Sequence, residues 1–145
     1  MANSSSIVQR EAEELTANQY SIETGINFER NKQFRFNSNT ADIDIYSEDH
    51  QIIGEIYSHV GKLKSAQADK VKRDILKLLY IDAKTDKTHN KLFIVNNQST
   101  FDCLINNSWL ADAINTFGIK PVLVRIPQTM IDKLLAAQKE QDLRN

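Results

Sequence analysis

ADIDIYSEDHQIIGEIYSHVGKLKSAQADKVKRDILKLLYID, residues 41–82, carries the reading of the whole chain. Its first seven residues alternate, Ile43 and Ile45 against Asp42, Asp44 and Tyr46, which is the period of a half-buried strand. SEDHQ is turn-like. IIGEIYSHV at 52–60 is rich in β-branched and aromatic residues, so the two runs predict a hairpin with a short polar loop. Gly61 ends it. From 64 to 82 the period changes. Ala68, Val71, Ile75, Leu78 and Leu79 recur at spacings of three and four, the stripe of an amphipathic helix. Gln67, Lys70, Asp74 and Lys77 fall on another face.

Working outward, 7–20 is composed of helix formers, with Ile7, Ala12 and Leu15 available for burial. Residues 25–36 read as a strand because Phe34 and Phe36 alternate with charge, and 37–40 is a turn cluster. KLFIVNN at 91–97 is a continuous apolar run, the signature of a strand covered on both faces. A helix is expected over 99–117 with Ser99 as N-cap and Gly118 as stop. IKPVLVRI at 119–126 is a second buried strand, and a final helix opens at Pro127. The order α-β-β-β-α-β-α-β-α predicts a single α/β domain over 7–145. Its sheet is mixed, antiparallel first and parallel after. Residues 1–6 are small and polar and are expected to be a disordered tail.

Composition narrows the function. The chain has 145 residues, 26% charged, with a net charge of −1, which argues against a protein that coats nucleic acid by bulk charge. No run approaches the roughly 18 apolar residues of a membrane span, and the first residues lack the basic start and apolar core of a signal peptide. The lone Cys103 permits neither an intrachain disulfide nor a cysteine-rich zinc site. It reads as a small core residue in a reducing compartment, and the expected location is cytoplasmic. His50, His59 and His89 show no metal-ligand spacing; His59 shares the strand face of Glu55 and Tyr57, and His89 falls in a loop. Trp109 and Phe117 read as core packing, with a dimer interface as the alternative.

The chemistry sits in the hairpin. Asp42 and Asp44 on one strand and Glu55 on the next place like charges across a ladder, which is destabilising unless compensated. Hard oxygen ligands of this kind suit Mg²⁺ or Mn²⁺. The segment that follows is basic: Lys62, Lys64, Lys70 and Lys77 are candidate nucleic-acid contacts, while Lys72 and Arg73 read as a solvated helix face. Carboxylates beside lysines are what metal-assisted phosphodiester hydrolysis needs.

The order helix–three strands–helix–strand, with ADID followed about ten residues later by GEIY, resembles the core of the PD-(D/E)XK nuclease superfamily. The likeness covers roughly 7–97. GEIYSHVGKLKSAQ…DILKL also resembles a signature of small bacterial proteins assigned there. The resemblance implies a restriction-endonuclease-like core and a metal-dependent nuclease acting on nucleic acid, most readily DNA. It makes Glu55 a metal ligand, with Asp42 or Asp44 the second, and an acid of the first helix, Glu11 or Glu14, completing the set. Tyr57 stands where that superfamily has lysine, and a phenol is a poor base without positive charge. Lys64 is then the expected substitute, and Gln67 resembles a helix-borne glutamine found beside the metal in some members. A non-catalytic domain binding nucleic acid or protein is the alternative, and a domain this small would need a homodimer or partner to grip a duplex.

Overall fold

A computed structural model describes the backbone of residues 2–144 and the side chains of 6–143. The elements run α1 (Ala2–Thr24), β1 (Glu29–Phe36), β2 (Asn39–Ser47), β3 (Ile52–Tyr57), α2 (Ser65–Lys84), β4 (Asn90–Val95), α3 (Gln98–Ile105), α4 (Trp109–Thr116), β5 (Ile119–Leu123) and α5 (Gln128–Arg144). The strands form one sheet in chain order, antiparallel from β1 through β3 and parallel from β3 through β5. This is the mixed α/β architecture that the alternation and the apolar runs predict. Among the described residues no helix is long and apolar enough to cross a membrane.

Helices cover both faces of the sheet because its central strands are apolar on both sides. All six residues of β3 are buried, as are the last four of β4. On one face Ile53, Tyr57 and Phe93 pack against Val71, Ile75 and Leu78 of α2, with Leu104 and Ile114 from α3 and α4. On the other, Ile52, Ile56, Leu92 and Ile94 meet Ala17 of α1. Ala12 then packs with Met130 and Leu134, joining α1 to α5. Pro121 is accommodated because β5 is an edge strand, where a missing N–H breaks no ladder.

Gly54 shows how tightly this core closes. A Cβ there would lie 2.8 Å from Ile45 Cγ1 and 3.0 Å from its Cδ1, and Ile45 is fully buried. Strand propensity favours alanine over glycine, but the clash outweighs it. Gly54→Ala is expected to destabilise the fold by about 1–3 kcal/mol, read as a lower urea midpoint with an unchanged slope.

Several expectations meet a different structure. The single helix of 99–117 is two. Asn107 takes φ 33°, and Ser108 caps α4 by accepting from Ala111 N at 3.0 Å, so the Asn106–Asn107–Ser108 run supplies a break and a new start. Asn97, not Ser99, caps α3. Its amide also holds the preceding loop, donating to His59 O and accepting from Gly61 N. Trp109 and Phe117 are exposed, 69% and 54%, because α4 turns Leu110, Ala111 and Ile114 inward instead. Cys103 is half-buried. His89 is buried, its ring and backbone N both on Asp82. Helix α1 starts at Ala2, so residues 2–6 continue it in place of the expected tail. Residue 1, also expected in the tail, lies outside the described residues.

Candidate functional site

The sheet forks where the acidic strands meet. β2 and β3 pair only at Ile45↔Gly54, Tyr46↔Ile53 and Ser47↔Ile52, while β2 stays paired with β1 as far as Asn39. Asp44 and Glu55 are the first residues beyond the last rung. Opposite Asp44, between the pairs Arg30↔Ile45 and Lys32↔Ile43, Asn31 takes φ 53°, a conformation asparagine tolerates better than most residues. The alternation of β2 slips there: Ile43 packs with the α2 face and Ile45 with the α1 face. The strict alternation of the sequence puts them on one face, and the kink separates them.

At the fork a side chain replaces the missing ladder bond. Asp44 Oδ2 accepts from Ile56 N at 2.8 Å. Arg30 fixes the kink from the other side, donating from Nε to Asp44 O at 3.0 Å and pairing through Nη1 with Glu14 of α1.

Glu55 is 3% exposed. Burial pushes its carboxyl up to about 10, and the hydrogen bond and charge of Asp44 add to this, with Lys77 opposing. Lys77 reaches in from α2, Nζ 2.5 Å from Glu55 Oε1. With its carboxyl raised this far, Glu55 meets the Lys77 ammonium as a neutral acid at neutral pH, and the contact becomes an ion pair only as that proton leaves. Burial alone would lower the Lys77 ammonium, but Glu55, Asp74 and Asp44 hold it above its ordinary value. Tyr57 is driven the other way from catalysis: burial, then Asp74, raise its phenol to about 12, so it stays neutral in the core.

Two further carboxyls face this centre. Burial, with Asp44 adding, raises Glu13 of α1 to about 7, against the pull of Arg30 and Lys70. Asp74 is raised by burial and is held by Lys70 at 3.6 Å. Glu13 was legible in principle: Ala12, Thr16 and Ala17 are the buried face of α1, and a residue four before Ala17 lies on it. Reading Leu15 as core rotates the wheel away, and Leu15 is in fact 37% exposed.

The structure therefore brings together Asp44, Glu55 and Lys77, with Glu13, Asp74 and Lys70 around them. The other candidates are engaged elsewhere. Asp42 is exposed and pairs in the sheet with Gln33. Glu11 pairs with Lys133 of α5 at 3.4 Å, and Glu14 with Arg30. Gln67 Oε1 accepts from Lys64 N at 2.9 Å, closing the N-terminus of α2, and Lys62 and Lys64 are exposed. The lysine that reaches Glu55 is Lys77, roughly three and a half turns beyond Lys64 along α2.

The fit to a hard divalent cation rests on two adjacent carboxyls, Asp44 and Glu55, the second of them held by Lys77. Among the described residues no group of three or more His, Cys, Asp and Glu side chains is arranged to hold a metal. An ion here would complete its shell with water and phosphate oxygens, as Mg²⁺ commonly does.

No family model, no curated protein and no solved structure matches this chain.

Proposed function

We propose that the domain is a metal-dependent nuclease of PD-(D/E)XK type, hydrolysing phosphodiester bonds of nucleic acid. The observation that carries the reading is the convergence of Asp44, Glu55 and Lys77 where β2 and β3 part. Asp44 and Glu55 would hold Mg²⁺ or Mn²⁺, which supplies a polarised phosphate and an activated water. Asp44 is oriented by Ile56 N. Lys77, on the neighbouring helix, would supply the positive charge that Tyr57 lacks, stabilising the charge that develops on the phosphate. Lys70 is 50% exposed at its side chain and is available to the nucleic-acid backbone. Lys62 and Lys64 extend this basic approach along the N-terminus of α2.

The test is digestion of single- and double-stranded DNA and RNA with Mg²⁺ or Mn²⁺. Asp44→Asn keeps an acceptor for Ile56 N but loses the charge. It is expected to cut the rate at least ~100-fold, the order seen when one electrostatic stabiliser is removed. Wild type and variant cleaving alike would remove Asp44 from the chemistry.

One observation favours a second reading, a non-catalytic domain that binds nucleic acid or a protein. Glu55 is almost fully covered and already paired with Lys77, an arrangement that is closed without an ion. Calorimetry with Mn²⁺ separates the two: binding that disappears in Glu55→Gln supports the nuclease. For a duplex, the reading includes a second copy of the chain or a partner, and sedimentation reports which. With one half-buried cysteine, a reducing cytoplasmic setting fits the proposal.

A further inference from the structure

Away from the fork, Leu63, Ala68, Lys72, Cys103 and Trp109 line an open cleft of about 280 Å³. One wall is an indole that is 69% exposed, although the fold has apolar positions on α4 to bury. Lys72 Nζ sits 4.8 Å from its ring centroid and also contacts Asp69 at 3.4 Å. Around the cleft the sequence is basic. Lys72 lines the cleft, and Lys62 and Lys64 are exposed just ahead of α2, while Lys70 belongs to the fork, where it pairs with Asp74. A flat apolar surface set in positive charge matches a ligand that is flat and apolar in one part and anionic in another.

We infer that Trp109 and Lys72 form a stacking site for one base of a single-stranded nucleic acid, its backbone running along the lysines of the α2 N-terminus. This rests on the nucleic-acid reading above and gives its substrate class. Stacking on an aromatic ring beside a cationic groove is how single strands are held without sequence readout. A duplex keeps its bases stacked on one another and offers none to the indole. The cleft lies just below the usual range for small-molecule sites, roughly 300–1,000 Å³, which suits a single base.

Trp109 is the only tryptophan, so tryptophan fluorescence, excited selectively over the tyrosines, reports on this cleft alone. Oligothymidylate of fifteen nucleotides, and its oligouridylate counterpart, are titrated into the full chain in EDTA. A saturable quench that weakens with salt is expected. By anisotropy of the labelled oligonucleotide, Trp109→Ala should lose about ten-fold or more in affinity, and Trp109→Phe should recover most of it. Lys72→Ala should reduce the salt slope by roughly 0.7. Absence of a quench with both oligonucleotides overturns the inference. So does equal affinity for a duplex of the same length, or a fluorescence change that follows protein concentration, the mark of self-association through this face. The titration contains no divalent cation and reads binding alone, so failure of the hydrolytic reading is told apart from failure of this one.

Discussion

Glu55→Gln is expected to make the metal-free protein more stable by about 3 kcal/mol at pH 7. In the folded protein burial and Asp44 raise this carboxyl from 4.5 to about 10, so the native state keeps a proton that the unfolded chain releases. That contribution is fully present below about pH 4.5 and is lost as pH rises towards 10, at about 1.4 kcal/mol per pH unit. Glutamine has the shape of the protonated acid and does not titrate. The wild type should therefore lose stability relative to the variant across the neutral range, and a saturating divalent cation should reverse the order, since only the carboxylate gains from it. Urea unfolding at pH 5, 7 and 8.5, in EDTA and then in Mn²⁺, reads both effects. Parallel curves for the two proteins at every pH would show that Glu55 is ionised as comfortably inside as outside, and the account of the site would fall. On the nuclease reading the same substitution should also abolish cleavage.

For the nuclease proposed above, Lys77→Met should lower the cleavage rate by roughly 100- to 1,000-fold, the range for removing one preorganised stabiliser of transition-state charge. The methionine keeps most of the aliphatic stem packed on α2 and removes only the ammonium. Lys77→Arg should restore part of the rate, as the charge is kept but its reach and geometry change. Lys64→Ala should stay within a few-fold of wild type, because Lys64 is exposed and it is its backbone N, not its ammonium, that Gln67 engages. A large loss in Lys64→Ala with a near-normal Lys77→Met would reassign the lysine. The pH dependence gives a second reading. Lys77 opposes the rise of the Glu55 carboxyl, so without it the proton is held more firmly and Mn²⁺ binding should need a higher pH.

How much of this was legible follows from the range over which each signal acts. The alternation of 41–47, the apolar run of 91–97 and the three-and-four spacing of α2 are local patterns, and each element they announce is present. Asp44 and Glu55 were visible as acids in strongly β segments. Choosing Asp44 over Asp42 was not possible from alternation, because both share a parity and only the kink opposite Asn31 distinguishes them. Glu13 was hidden by an error of helical phase. The break between α3 and α4 was written in Asn106, Asn107 and Ser108 and was read through, since the apolar spacing on either side of it is continuous enough to pass for one helix. Trp109 is exposed against the usual preference of its side chain, and no local pattern reports that.

The sequence by itself determined the elements, their order and the mixed sheet, because backbone period and side-chain burial are decided within a few residues of each position. Only the tertiary structure decided which charges meet. The fork at Ile45↔Gly54 and the inward face of α2 bring Asp44, Glu55 and Lys77 together across 33 residues of chain, and like charges in a buried space settle their protonation by distance to one another. Separation in sequence carries no record of that distance.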